Sequence, residues 1–203
     1  MKKSLFVVIE GIDRSGKSSL ARTLKNTLTE KGYRVHLISF PNRENQTGKL
    51  ISSVLSGEKV LEKEAMHLLF SANRWEDKSI IETLLSRNEN AGCNATPSVI
   101  LCDRYILSGV SYSMANGLSE KFSFASDKGM IEPDLTLFLN VSPETAEKRA
   151  GFGVELYERR ELQEKVYVAM KKLLEKYEHK LIPSKSQEEM HAISLDYILD
   201  LLK

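Results

Sequence analysis

The sequence has little cysteine, little tryptophan and almost no net charge. Its 203 residues include two cysteines, one tryptophan and five prolines. Cys93 and Cys102 form no CxxC pair and no ligand pattern with histidine, so neither a disulfide scaffold nor a zinc site is indicated. Such sparse use of cysteine fits a reducing compartment, and both residues are predicted to be free thiols.

An excess of charge of one sign is also missing. The chain has 29 lysines and arginines against 28 acidic residues, a formal net charge of +1. This balance excludes a general electrostatic attraction to nucleic acid or to a membrane surface. Neither is expected as a partner, and any anion-binding site must be assembled by folding.

No apolar run is long enough to cross a bilayer. The first run, residues 5–9, ends at Glu10, well short of the apolar region of a signal peptide or a membrane span. A cytoplasmic location is the expectation. The sequon Asn94-Ala95-Thr96 is then interpreted as a chance match in a polar surface loop, residues 88–98, for which no function is predicted.

Short apolar runs do occur, and they alternate with longer helical patterns in the way typical of a parallel α/β sheet. Buried strands are predicted at residues 5–9, 35–40, 99–102 and 135–141, with a weaker fifth at 181–182. The length of the chain and its hydrophobic content of 41% suit one domain with a sizeable core. We predict a single α/β domain over residues 1–203, with helices on both faces of a five-stranded parallel sheet.

Helical periodicity fills the stretches between the predicted strands. Leu20, Leu24 and Leu28 recur every four residues, and Gly32 follows where a C-terminal glycine would lie. A long helix is predicted over residues 62–86. Its predicted core positions are Ala65, Leu68, Leu69, Ala72, Ile80, Ile81, Leu84 and Leu85.

Three further helices are predicted towards the C-terminus. Ser142 and Pro143 supply an N-cap and a first-turn proline for a short helix that ends at Gly151. The other two are predicted over residues 162–177 and 187–202.

A phosphate-binding motif follows the first strand. Residues 11–18, GIDRSGKS, match G-x-x-x-x-G-K-[ST] between an apolar strand and an amphipathic helix, the context that defines a P-loop. Its glycines let main-chain N–H groups face a polyphosphate, and the helix that follows adds its positive dipole end. The predicted ATP-binding residues of this segment are Gly11, Arg14, Ser15, Gly16, Lys17, Ser18 and Ser19. The predicted fold is therefore that of a P-loop NTPase.

Three residues are predicted to handle the charge of the polyphosphate and its metal. Lys17 supplies a mobile cation for the β- and γ-phosphates, and Ser18 offers a hydroxyl to Mg²⁺. Asp103, at the end of the third strand, is the expected second anchor for the metal, although an aspartate after a strand is common.

Two positions that the motif leaves open carry charge. Asp13 and Arg14 place an acceptor and a permanent cation where a second substrate would meet the transferring phosphoryl group. Negative charge spreads over the phosphoryl oxygens in the transition state, so Arg14 is predicted to act as an arginine finger supplied in cis. The alternative is a solvated pair with no role.

A second substrate is expected at the carboxyl edge of the sheet, where open α/β folds bind ligands. Phe40 and Arg43 follow the second strand there. Phe70 and Arg74 lie four residues apart on the long helix, so one could stack on a base while the other hydrogen-bonds its edge. Core packing of Phe70 is the competing interpretation.

The segment after the third strand continues this edge. Arg43 and Arg104 are predicted to clamp one monophosphate, because two planar guanidinium groups suit a dianion. Gly109 and Tyr112 follow on the same segment, and Tyr112 is expected to bound the sugar. The phosphate loop and the DR motif occur in several kinases, so a deoxynucleoside kinase and a nucleoside monophosphate kinase both stay open. A GTP-dependent switch is disfavoured, because the sequence has no NKxD element for guanine.

These motifs together resemble the thymidylate kinase family, whose members phosphorylate dTMP to dTDP with ATP. The resemblance spans nearly the whole chain and is strongest in LLFSANRWE at residues 68–76, combined with FPNR and DRY. The other matching motifs are the P-loop at residues 11–18, SGV at 108–110 and PDL at 133–135.

The resemblance implies a role for each matching residue. Phe70 would stack on thymine, Arg74 would bond its exocyclic oxygen, and Asp13 would bond the sugar 3′-hydroxyl. Arg43 and Arg104 would hold the monophosphate, and Tyr112 would disfavour a ribose.

Residues 141–163 resemble the lid of the family. Arg149 would contact adenine, Tyr157 and Gln163 would close over dTMP, and Lys185 would belong to the adenine pocket. Catalysis is assigned to Arg14, Lys17, Asp13 and Arg104, and a homodimer is implied.

Two features depart from the family pattern. An arginine in the P-loop is typical of the family branch that keeps its catalytic arginine there, yet Arg159 and Arg160 also lie in the lid segment. Whether the lid contributes catalytic charge is left open. The polar loop at residues 88–98 is longer than the turn usual in the family.

Overall fold

The computed structural model describes residues 4–86, 97–149, 157 and 159–203. Its single sheet has five parallel strands in the order β2-β3-β1-β4-β5. The strands are β1 (Leu5–Glu10), β2 (Arg34–Ser39), β3 (Ser98–Asp103), β4 (Leu135–Asn140) and β5 (His179–Pro183). The predicted five-stranded parallel α/β sheet is confirmed.

Nine helices surround the sheet within the described residues. They are α1 (Lys17–Glu30), α2 (Gln46–Leu55), α3 (Lys63–Glu76), α4 (Lys78–Ser86), α5 (Ile106–Ala115), α6 (Glu120–Ala125), α7 (Pro143–Glu147), α8 (Arg160–Leu174) and α9 (Gln187–Leu201). None of these is both long and apolar enough to cross a membrane.

The register of the central strands places their carboxyl ends at one edge of the sheet. Ile9 of β1 and Ser39 of β2 both pair with Asp103 of β3. The segments that leave β1, β2 and β3 therefore begin side by side. These are the P-loop, the segment containing Phe40, and the DRY segment.

The core is built from the apolar strands and one face of the surrounding helices. β1 and β3 are buried along their whole length, as expected for central strands covered on both faces. Leu20, Leu24 and Leu28 of α1 are fully buried, which confirms the predicted stripe. A smaller apolar cluster joins Ile51, Val54 and Leu55 of α2 to Met66 of α3.

The prediction of one helix over residues 62–86 is wrong, because the chain forms α3 and α4 with Asp77 between them. The predicted core face is also wrong at four of its eight positions. Leu68 of α3 and Ile80 of α4 are about half exposed, at 48% and 50%, and Ala65 and Ala72 of α3 are exposed. Ile81 and Leu84 of α4 are buried as predicted, and Leu69 and Leu85 are partly buried against the core. The buried face of α3 is mostly polar, with Met66, His67, Ser71, Asn73 and Arg74.

Other predictions differ in detail. The strand predicted at residues 181–182 is the longer β5, whereas α2, α5 and α6 had no prediction. Ser142 does cap α7, since its hydroxyl accepts a hydrogen bond from the Thr145 N–H. Cys102 is a buried free thiol, as predicted. Cys93, the sequon, most of the 88–98 loop and Gly151 lie outside the described residues.

Candidate active site

The P-loop connects β1 to α1 in a tightly packed turn. Gly11 and Gly16 both have positive φ, at 148° and 102°, which side chains rarely adopt. A Cβ on Gly11 would lie 2.9 Å from Ser15 Oγ and 3.0 Å from the Leu139 carbonyl oxygen. Both glycines are therefore required by the conformation of the loop itself.

Lys17 is held inside this loop. Its Nζ donates to the Ile12 carbonyl at 2.5 Å and to Ser15 Oγ at 3.1 Å, and its side chain is buried. Burial, reinforced by the charge of Arg104 and opposed by that of Asp13, lowers the pKa of Lys17 to about 7. A phosphate beside Lys17 would favour its charged form.

Ser18 and Asp103 meet as a pair of oxygen donors beside the loop. Ser18 Oγ, in the first turn of α1, donates to Asp103 Oδ2 at the end of β3, at 2.5 Å. The other oxygen, Asp103 Oδ1, is buried and has no hydrogen-bond partner among the described residues. A hydroxyl and an unsatisfied carboxylate oxygen suit a hard cation, so both residues fit a Mg²⁺ site.

Asp13 lies at the centre of a polar cluster. It pairs with Arg104 Nη2 and accepts hydrogen bonds from Tyr112 Oη at 2.6 Å and Gln163 Nε2 at 2.8 Å. Burial alone would raise the pKa of Asp13, but the charges of Arg104 and Lys17 and these hydrogen bonds outweigh it. The pKa of Asp13 is therefore below its ordinary value.

Arg104 is held in an unusual backbone conformation. Its φ is 69°, which is uncommon for a residue other than glycine, and its Nη1 also bonds the Gly11 carbonyl at 3.2 Å. Strained backbone of this kind is found mainly at functional sites. Arg14 has positive φ too, at 60°.

Arg149 reaches the P-loop from the segment after α7. Its Nη1 donates to the Arg14 carbonyl at 2.7 Å. A Cβ on Gly16 would lie 3.3 Å from the same nitrogen and 2.8 Å from Gln187 Nε2, so Arg149 and Gln187 both lie over the loop. Lys185 is placed differently, because it is about half exposed and pairs with Glu189 at 3.1 Å.

A cavity of about 190 Å³ opens beside the P-loop. The predicted acceptor-site residues that line it are Asp13, Phe40, Arg43, Phe70, Arg74, Arg104, Gly109, Tyr112 and Tyr157. Phe70 lines the cavity and also packs partly against the small apolar cluster, so both interpretations of this residue have support. The tertiary structure thus brings two phenylalanine rings, three arginines and an aspartate into one space.

Gln163 is the one predicted acceptor-site residue that does not line this cavity. It is fully buried, its Oε1 accepts from the Asp13 N–H at 2.9 Å, and its Nε2 donates to the Tyr157 carbonyl at 2.9 Å. Its amide therefore connects Asp13 of the P-loop to Tyr157. From outside the cavity lining, its hydrogen bonds hold Asp13 and the Tyr157 carbonyl.

Glu10 had no predicted role. This carboxylate is fully buried at the end of β1, where its Oε1 accepts from the N–H groups of Tyr105 and Ser108 at 2.8 and 3.0 Å. Its Oε2 accepts from Ser108 Oγ at 2.5 Å. Glu10 thus caps α5 and anchors the segment that carries Arg104. The signal was present, since a charged residue ends an otherwise apolar buried strand.

Replacing Glu10 by alanine would leave the N–H groups of Tyr105 and Ser108 buried without an acceptor. We expect the free energy of unfolding to fall by roughly 2–4 kcal/mol, measured by urea denaturation. Glu10→Gln keeps an acceptor of the same shape and should lose about 1 kcal/mol or less. Equal losses for the two variants would show that Glu10 is not held by these hydrogen bonds.

Comparisons with known proteins agree with this geometry. The family model described as thymidylate kinase matches residues 9–193. Thymidylate kinase of Plasmodium falciparum (isolate 3D7) is 41% identical over 171 residues, covering 84% of this chain and 77% of that protein. The Homo sapiens enzyme is 39% identical over 168 residues, covering 81% and 74%.

A solved structure shows the same likeness. The structure of thymidylate kinase from Candida albicans superposes with a TM-score of 0.83 at 32% sequence identity. The superposition covers 98% of this chain and 92% of that one.

Proposed function

This chain belongs to the thymidylate kinase family, and from that premise we propose how its residues carry out the reaction. It is a nucleoside monophosphate kinase that phosphorylates dTMP to dTDP with ATP. The observation that carries the assignment of residues is the cavity beside the P-loop. It is lined both by cations suited to a phosphate and by an aromatic ring with an arginine suited to a base.

The acceptor dTMP occupies this cavity. Arg43 and Arg104 hold its monophosphate, and Phe70 stacks on thymine while Arg74 bonds an exocyclic oxygen. Asp13 accepts a hydrogen bond from the sugar 3′-hydroxyl, which its lowered pKa supports because an ionised carboxylate is a pure acceptor. Phe40, Gly109, Tyr112 and Tyr157 complete the walls, and Gln163 holds Asp13 and Tyr157 in place.

The donor ATP is held by the P-loop. Main-chain N–H groups from Gly11 to Ser19 and the start of α1 bind its phosphates, and Lys17 contacts the β- and γ-phosphates. Arg149 lies over the loop on the adenine side, with Lys185 further out. Ser18 and Asp103 would hold Mg²⁺, which when bound neutralises charge on the phosphates.

The transfer needs no strong general base. A phosphate oxygen of dTMP, already ionised near neutral pH, attacks the γ-phosphorus while the bond to the β,γ-bridging oxygen breaks and ADP leaves. Arg14 and Lys17 stabilise the negative charge on the phosphoryl group during its transfer. Arg104 orients the phosphate of dTMP for in-line attack.

The same premise supports a description of the whole protein. We propose one kinase domain over residues 1–203, with residues 141–163 as its lid, in the cytoplasm. A homodimer is also proposed, supported by the exposed apolar side chains of Leu68 and Trp75 on α3 and Phe122 on α6, which are 48%, 38% and 37% exposed. Sedimentation of the purified chain tests the dimer.

An acceptor panel tests the proposed function. ADP release is followed in a coupled assay with dTMP, dUMP, dCMP, dGMP and thymidine, with ATP and Mg²⁺ present. We expect dTMP to give the highest kcat/KM. Thymidine as the best acceptor would identify a nucleoside kinase, and no acceleration by dTMP would refute the assignment.

A further inference from the structure

Arg74 is held by a buried ion pair that the motifs did not predict. Its Nε donates to Asp127 Oδ1 at 2.9 Å and its Nη2 to Asp127 Oδ2 at 2.5 Å, and both side chains are 2% exposed. This two-point geometry fixes the plane of the guanidinium group as well as its position. Among the described residues, Asp127 does not line the cavity, whereas Arg74 does.

The guanidinium group lies directly against Gly109. A Cβ at this position would be 2.7 Å from Arg74 Nη1 and 2.8 Å from Nη2, so only glycine leaves room for the observed orientation. Asp127 engages Nε and one hydrogen of Nη2, so Nη1 is the nitrogen whose two hydrogens both remain for a ligand in the cavity. A guanidinium nitrogen carries only donor hydrogens.

Asp127 is itself fixed by its neighbours on α3. Ser71 Oγ donates to Asp127 Oδ1 at 2.9 Å and also lies 3.0 Å from the Ser126 carbonyl oxygen. Trp75 Nε1 donates to that same carbonyl at 2.8 Å. The loop after α6 is therefore attached to α3 both at Ser126 and at Asp127.

His67 extends this attachment to α5. Ser113 Oγ donates its one hydrogen to the Gly109 carbonyl at 2.8 Å, so His67 Nδ1, 2.7 Å away, must donate to Ser113. His67 Nε2 is then an acceptor for Ser126 Oγ at 2.9 Å. A neutral ring agrees with the burial that lowers the pKa of His67. The hydrogen bonds connect α3, α5 and the loop after α6 around Arg74.

We propose that Asp127 is a positioning residue that sets the specificity for the acceptor base. By holding Nε and Nη2 of Arg74, it directs Nη1 into the cavity, where a donor favours a pyrimidine with a carbonyl oxygen at that edge. A pyrimidine with an amino group there presents a second donor and is disfavoured. This inference rests on the proposed function, in which Arg74 contacts the base of dTMP.

The test compares dTMP with dCMP as acceptors for the wild-type enzyme and Asp127→Asn. The asparagine offers one oxygen instead of two and points an N–H group at the guanidinium, so the two-point contact is lost. We expect the ratio of kcat/KM for dTMP to that for dCMP to fall by about tenfold. The change should lie in the KM for dTMP, with the KM for ATP unchanged and kcat at saturating dTMP nearly unchanged.

A second pair of enzymes separates positioning from stability. If Asp127 acts through Arg74, then adding Asp127→Asn to an Arg74→Met enzyme should leave the dTMP to dCMP ratio as it is in Arg74→Met. Asp127→Glu keeps the charge of the pair while shifting the carboxylate by one methylene, and it should lose part of the preference. Asp127→Glu is the variant to measure if Asp127→Asn does not fold.

The matched control is Asp134→Asn, at a carboxylate that accepts from the Phe6 N–H at 2.9 Å, outside the cavity lining. It should change stability without changing the ratio. An unchanged ratio in Asp127→Asn, or an equal loss with and without Arg74, would overturn the proposal. A wild-type enzyme with no preference for dTMP would instead overturn the proposed acceptor.

Discussion

Replacing Arg14 by alanine is expected to lower kcat by about three orders of magnitude, with the KM values for ATP and dTMP changed by less than about threefold. In the P-loop, Arg14 directly follows Asp13, which lines the cavity proposed for dTMP, and precedes Lys17, which is proposed to contact the phosphates of ATP. Charge on the transferred phosphoryl group is greatest in the transition state, so a cation here contributes mainly to kcat.

Steady-state kinetics with both substrates varied would measure this effect. The matched control is Arg160→Ala, at the first residue of α8 and within the proposed lid. Arg160 is 53% exposed and pairs with Glu147 and Glu164. Exposed pairs of this kind contribute little, so kcat should stay within about twofold of wild type. A large fall in kcat for Arg160→Ala, together with a small fall for Arg14→Ala, would assign the catalytic cation to the proposed lid instead of the P-loop.

Replacing Arg104 by methionine is expected to lower kcat/KM for dTMP by about two to three orders of magnitude. The variant removes one of the two guanidinium groups proposed to hold the monophosphate. It also removes the principal cation beside the Asp13 carboxylate, whose side chain is only 18% exposed, and the hydrogen bond to the Gly11 carbonyl. We therefore expect both the binding of dTMP and the conformation of the P-loop to be impaired.

The pH dependence of this variant has a definite sign. The pKa of Asp13 is lowered in the folded protein, so its ionisation contributes stability above its unfolded pKa, and that stability is lost as pH falls through the folded pKa. Without Arg104, the largest of the effects that lower the pKa of Asp13 is lost, so this pKa should rise and the acidic limb of the kcat/KM profile should move to higher pH.

The control for Arg104→Met is Arg22→Met, on an exposed position of α1 away from the cavity lining. It removes the same charge from the chain and should leave kcat/KM for dTMP within about twofold, since exposed charges interact weakly in water. Equal losses in the two variants would mean that Arg104 acts through net charge alone. An acidic limb of the kcat/KM profile that does not shift in Arg104→Met would show that Arg104 does not lower the pKa of Asp13.

Local patterns were sufficient to predict most of the framework. A P-loop is a contiguous motif whose chemistry depends on glycines, a lysine and a serine at set spacings, so residues 11–18 could be identified directly. Central strands covered on both faces are continuous apolar runs, and β1, β3 and β4 lie close to their predicted bounds. Parallel strands also end at one edge, which is why Phe40, Arg43 and Arg104 were expected together.

The face of α3 could not be predicted in this way. Periodicity assigns apolar residues to the core, yet Leu68 is about half exposed while Ser71 and Arg74 are buried. A polar face can be buried only where neighbouring elements supply its hydrogen bonds. Here those partners come from α5, the segment after β2 and the loop after α6.

By itself, the sequence determined the phosphate-binding loop, the parallel sheet and the set of residues that meet at its carboxyl edge. The tertiary structure alone decided that Glu10 caps α5, that Gln163 holds Asp13 from behind, and that Asp127 orients Arg74. These contacts join residues that are between 53 and 150 positions apart. Nothing in their local sequence encodes the partner, because a buried polar group is satisfied by whichever element the fold places beside it.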